Sequence, residues 1–253
     1  MKRNTVYTPL LCSLLLFTGL SSVAQNSDST KKNVHFGGTI TATQNGISLI
    51  PSFSLNRPAV MFDFNMGGKK LTFEPFLRFG TNGKPWSFIF WWRYKVVTGN
   101  KFKMSIGAHP SFVFRTISNP PVPDAVQVSR FAAIDFTPTV TVAKNINVGV
   151  YYLFSKGLDK SSVRYTHFIT ANANFSHIGL GKMLYIKFVP QIYYLNMAGR
   201  DGFYVTHSLT LAANKFPISL QTIMNKAIRT EIAGNSFVWN ASVIYSFNKN
   251  YVR

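Results

Sequence analysis

The amino-acid sequence predicts an all-β protein: a transmembrane antiparallel β-barrel of about twelve strands, with fourteen as the alternative. Three observations point there. A short apolar leader opens the chain, apolar residues then recur at every second position, and the alternating segments run about 10–14 residues. Globular strands usually run about 5–6 residues, whereas strands that cross a membrane need about 9–11.

The leader comes first. Residues 1–24 carry Lys2 and Arg3, an apolar stretch "LLCSLLLF" and then "SSVA" before Gln25, the layout of a cleaved secretory signal. Its apolar core is shorter than the roughly 20 residues of a spanning helix. Cys12, the sole cysteine, leaves with the leader, so neither disulfides nor Cys-ligated metal is expected. The 27 Lys and Arg against 8 Asp and Glu give a formal charge of +19, a balance that first invites a nucleic-acid reading. Export excludes that partner, and the remaining basic charge needs another use.

From residue 25 the reading divides the chain into an N-terminal segment or start of the first strand, 25–46, and a barrel, 47–253. Before the first confident crossing lie "VHFGGTITATQ" (34–44) and "ISLIPSFSL" (47–55). Periplasmic chain ends require an even number of crossings before the tight turn "MGGKK" (66–70), so one of the three runs up to residue 66 is not an independent crossing. A bulge at Asn45-Gly46 or a luminal N-terminal segment is the expected reason, giving twelve strands.

The alternation is then continuous. "AVMFDFNM" sets Val60, Phe62, Phe64 and Met66 against Asp63 and Asn65, and "KLTFEPFLRF" sets Leu71, Phe73, Leu77 and Phe79 against Glu74 and Arg78. "KPWSFIFWWRYKVV" (84–97) sets Trp86, Phe88, Phe90, Trp92, Tyr94 and Val96 against Ser87, Ile89, Trp91, Arg93 and Lys95. "KFKMSIGAHPSFVFR" follows, then "AAIDFTPTVTV", "INVGVYYLFS", "VRYTHFITANANF", "MLYIKFVPQIYYL", "FYVTHSLTLAA", "PISLQTIM" and "FVWNASVIYSF". Rings at the ends of the apolar rows read as an aromatic girdle: Trp86, Trp92 and Tyr94 on one strand, Trp239, Tyr245 and Phe247 on the last. A run from Trp86 to Val96 tilted by about 40° projects to about 25 Å, the height of an outer-membrane apolar band. Tight connections (66–70, 97–101, 143–146, 212–216) alternate with longer ones (117–129, 156–162, 196–202, 226–235), as periplasmic turns alternate with outer loops. "GTNGK" (80–84) and "SHIGLGK" (176–182) fit this less well.

Near the C-terminus, Asn240, Ser242, Tyr245 and Phe247 resemble the assembly signal of bacterial outer-membrane proteins, with Ser242 where that pattern has glycine. With these residues, and with "NGISLIPSFSLNRPA" and "GKPWSFIFWWRYK", the chain resembles the uncharacterised outer-membrane β-barrels of Bacteroidota-type bacteria. The resemblance implies a barrel in the outer membrane of a Gram-negative bacterium, made by the barrel-assembly machinery and surrounded by outer-membrane lipid and lipopolysaccharide. It brings no activity with it.

Candidate chemistry lies on the inner row. Arg78, Arg93, Lys95, Lys103, Arg115 and Lys187 outnumber Asp63, Glu74 and Asp135, and a lipid-facing Arg or Lys would cost about 2–4 kcal/mol near the midplane. A lumen with excess cations concentrates anions, so the expectation is a small passive channel or pocket favouring anionic solutes. The alternatives are a non-conducting structural or binding barrel, and a lipid-modifying enzyme. His109 and Ser111 share a face and resemble the His-x-Ser of outer-membrane phospholipases, but Asn119 and Asp124 match no orienting position and the register turns His109 into the lumen. His207 and Ser208 fall on opposite faces. No zinc or calcium spacing and no phosphate loop occurs, so no enzyme activity, metal or cofactor is expected.

Overall fold

A computed structural model describes residues 33–48, 50, 53–119 and 121–252; the expected leader lies outside them. The described residues form twelve strands in a closed antiparallel barrel. The first six are β1 (Asn33–Thr43), β2 (Ala59–Gly67), β3 (Leu71–Gly80), β4 (Pro85–Thr98), β5 (Phe102–Asn119) and β6 (Val122–Ala143). The others are β7 (Ile146–Gly157), β8 (Tyr165–Leu180), β9 (Leu184–Met197), β10 (Arg200–Ala213), β11 (Ile218–Thr230) and β12 (Phe237–Val252). Sequence neighbours pair throughout, and β1 closes on β12 from Asn33↔Val252 to Thr43↔Ser242.

The two faces of the wall meet different surroundings. Outward side chains are large and bare: Trp92 is 51% exposed, Ile134 57%, Ile192 61% and Leu220 54%. A contiguous coat of this kind suits hydrocarbon rather than water, and closure leaves no backbone edge unpaired within it. Inward positions hold Thr41, Thr72, Ser111, Asp135, Thr166, Thr206, Asn225 and Asn240, all buried. Both described ends and the turns 68–70, 99–101, 144–145, 181–183 and 214–217 share one rim, the periplasmic one by turn length.

Several expectations need correction. Residues 47–55 are not a crossing, and the redundant run is neither a bulge nor an N-terminal segment. Residues 33–43 form β1, and the described residues of 44–58 belong to an outer connection folded back against the lumen wall. There Phe53 packs on Phe131 with ring centroids 5.3 Å apart, and its carbonyl accepts the indole N–H of Trp86 at 2.8 Å. Trp86 is therefore no girdle residue: it is 2% exposed and lies inside. The cause is a register shift, because Phe79 pairs with Pro85 while Arg78 pairs with Ser87, leaving Trp86 as the extra residue of a bulge. Counting in twos from Phe88 cannot pass that point.

Two supposed outer loops are tight as well. β5 and β6 run on through 117–129 as a paired hairpin, from Ile117↔Ala125 to Asn119↔Val122. The 196–202 connection is a two-residue turn at Ala198 and Gly199, with φ of 53° and 80°, the left-handed pair of a type I′ hairpin. Likewise 176–182 is mostly strand, since β8 extends to Leu180.

Candidate functional site

Side chains that point inward divide the lumen into an apolar outer half and a polar periplasmic half. In the outer half Trp91 (β4), Ala133 (β6), Leu153 (β7), Phe168 (β8), Tyr193 and Leu195 (β9) and Tyr204 (β10) form one cluster, joined by Ile50 and Phe53 of the folded-back connection. Tyr193 and Tyr204 stack at 4.7 Å with planes 10° apart, and the Tyr193 hydroxyl donates to Asn225 at 3.0 Å. Leu195 is 0% exposed, Tyr204 2% and Phe168 4%. Residues that lined an open, water-filled tube would remain wet. These are dry, so neighbours fill most of the space in front of them, a cavity beside Trp91 and Phe168 excepted.

A charged layer bounds this core. The Arg93 guanidinium on β4 donates through Nε to Glu74 Oε2 at 2.9 Å and through Nη1 to Asp135 at 2.8 and 3.0 Å. It also lies 4.1 Å from the Trp91 ring. Glu74 has further donors in Asn65 Nδ2 and Thr72 Oγ1, both at 3.0 Å. Asp135 depends on Arg93, with Thr137 Oγ1 at 3.5 Å its other donor. Room for this carboxylate comes from Gly107, its cross-strand partner, where a Cβ would lie 2.7 Å from Asp135 Oδ2.

Below that layer a vestibule of about 610 Å³ is lined by Lys69, Lys95, Lys103, Thr137, Asn172 and Asn174 among others, with no carboxylate among its described lining residues. β4 and β5 supply Lys95 and Lys103, and the β2–β3 turn supplies Lys69. The "NAN" of β8 sends Asn172 and Asn174 inward around the outward Ala173. Lys187 shares the inward face with its partner Thr210 nearer the periplasmic rim, its Nζ 5.9 Å from the Tyr185 ring.

The six basic residues expected to line one path thus occupy different places. Lys95, Lys103 and Lys187 are in the periplasmic half, Arg93 is committed to two carboxylates, and Arg78 sits higher between the Phe76 and Trp86 rings at 5.7 and 5.6 Å. Arg115 lies at the outer mouth beside Arg57 and Ser54, beyond Val113, where pairing with β4 ends. Of the other expected girdle residues, Trp92, Tyr94, Trp239 and Tyr245 are exposed on the outer face. Phe247 packs against Phe36 and Phe64. Trp92 sits at mid-wall over Phe73, 4.5 Å away. His109 and Ser111 point into the lumen and are buried; the imidazole lies 3.8 Å from Trp91 and its Nδ1 has no hydrogen-bond partner. Sequence reasoning missed Lys69, Asn172 and Asn174, although the inward parity of "NAN" was readable.

A closed barrel with an apolar coat and packed or polar inner rows defines a transmembrane β-barrel of the Gram-negative outer-membrane type. A solved structure, the KdgM porin, agrees on the fold. The KdgM porin superposes with a TM-score of 0.51 at 10% identity, covering 83% of this chain and 99% of its own. The NanC porin gives 0.48 at 10% identity over 85% and 99%. The COG4313 outer membrane channel from Pseudomonas putida F1 gives 0.44 at 10% identity over 86% and 95%. No protein-family model matches the chain, and no curated protein matches it.

Proposed function

We propose that this protein is a non-conducting outer-membrane barrel whose periplasm-facing vestibule binds a hydrophilic anion. The observation that carries the reading is the dryness of Leu195, Tyr204, Phe168 and Trp91 on the inner face of the outer half, residues that a continuous water-filled path would wet. The vestibule supplies the ligand chemistry: ammonium groups of Lys69, Lys95 and Lys103 for charge, and amides and hydroxyls of Asn147, Asn172, Asn174, Thr137 and Thr139 for orientation. The reading is non-enzymatic, because His109 and Ser111 face the lumen core and not lipid. The outward rows meet membrane lipid, and lipopolysaccharide and the barrel-assembly machinery are the partners that location implies.

Planar-bilayer recording tests it. The expected result is a silent membrane, together with binding of an acidic sugar such as glucuronate that is lost in Lys95→Gln/Lys103→Gln. Stable anion-selective conductance in the unaltered protein would overturn the closed reading in favour of a small passive anion channel.

A further inference from the structure

A second cavity, of about 370 Å³, lies in the outer half between the folded-back connection and the wall. It is lined by Ile50, Phe76, Ile89, Trp91, Leu153 and Phe168, with Arg78 and Arg93 as its cations. The two guanidinium groups differ. Arg93 is held by Glu74 and Asp135. Arg78 has no ion pair among the described residues; two aromatic rings flank it, and its Nε is buried without a hydrogen-bond acceptor. Asp63 on β2 is near enough for its charge to act on Arg78, yet no ion pair joins the two among the described residues, and the Asp63 Oδ1 is itself buried without a partner. A buried donor on a cation costs free energy until an acceptor arrives.

We infer that this cavity is a binding site for a small amphipathic carboxylate, its acid group on Arg78 and its apolar chain among Ile50, Ile89, Trp91, Leu153 and Phe168. The lining is mostly apolar with one convergent charge, the composition of a site that takes an apolar body and fixes its polar end. A guanidinium meets a carboxylate through paired N–H donors, whereas the ammonium groups of the vestibule sit among amides and suit a hydrated ligand. The two sites lie on opposite sides of the Arg93 layer, so this one stands independently of the vestibule.

The test uses the refolded barrel in maltoside micelles with Trp92→Phe and Trp239→Phe, leaving as emitters Trp91 at the cavity and Trp86 beside Arg78. 10-Bromodecanoate should quench them saturably, and 10-bromodecanol, the same chain without the charge, should bind at least tenfold more weakly. Arg78→Gln should weaken the acid about tenfold and leave the alcohol unchanged. Ile89→Trp, which fills the cavity, should abolish saturable quenching by both. Equal affinity for acid and alcohol, an unaltered acid affinity in Arg78→Gln, or quenching that never saturates would each overturn the inference. Should Ile89→Trp not fold, the Arg78→Gln comparison still decides. Lys95→Gln/Lys103→Gln should leave decanoate binding intact; loss there would move the acid to the vestibule and overturn the assignment to Arg78.

Discussion

Replacing Arg93 by Met tests how the charged layer is held. The substitution keeps the stem and removes the guanidinium, leaving Glu74 and Asp135 facing each other across the lumen wall. Breaking a buried ion pair by deleting one partner costs about 3–5 kcal/mol, and the structure says where that cost falls. Glu74 retains Asn65 Nδ2 and Thr72 Oγ1, each at 3.0 Å, and its side chain is 16% exposed. Asp135 retains only the Thr137 hydroxyl at 3.5 Å, with its side chain 0% exposed. Arg93→Met/Asp135→Asn should therefore recover most of the loss, and Arg93→Met/Glu74→Gln much less. Urea unfolding from lipid vesicles, followed by far-ultraviolet circular dichroism and by heat-modifiable gel mobility, reads the difference. The reasoning fails if Arg93→Met is as stable as the parent, or if neutralising Glu74 rescues as well as neutralising Asp135.

Three further outcomes are expected. Gly107→Ala should destabilise through the same carboxylate, because the added Cβ meets Asp135 Oδ2 at 2.7 Å; combining it with Asp135→Ala should remove most of the penalty in the same unfolding assay. Ala198→Asn should stabilise the β9–β10 hairpin by about 1 kcal/mol, since a left-handed φ of 53° disfavours a Cβ that asparagine tolerates better; a lowered urea midpoint would contradict this. In the 158–164 connection, the hydrogen bonds and charge of Arg130 hold the Asp159 carboxyl below its ordinary range. A depressed value means the clamp contributes above the ordinary carboxylate value and is lost as pH falls through the depressed one. Protease nicking of this connection should thus stay slow into mildly acidic conditions and rise only in strong acid, and Asp159→Asn should remove that dependence.

Parity was legible in the sequence because hydrocarbon outside imposes a strict choice at every second residue, and Phe62, Phe73, Trp92 and Tyr245 obey it. The inner row was less legible. Apart from Ile89 and Trp91 the sequence marks it as small, polar or charged, yet Leu153, Phe168, Tyr193, Leu195 and Tyr204 all stand on it, and a packed lumen accepts the same residues as a lipid-facing wall. For the same reason "ISLIPSFSL" read as a strand: a segment packed inside the barrel and one facing lipid have similar composition. Trp86 was misplaced because one bulged residue reverses a count without leaving a trace in hydropathy. The inward set Arg93, Glu74 and Asp135 was visible by parity, but their meeting depends on registers β3–β4 and β5–β6, which only the folded ladder fixes.

The seam between β1 and β12 has a consequence for biogenesis. Residues 33–43 acquire one of their two hydrogen-bonded neighbours only from 242–252, so the wall stays an open ribbon until the final stretch of polypeptide is delivered. A chain halted anywhere before that point carries a raw edge on its first strand, open to pairing with any other nascent barrel.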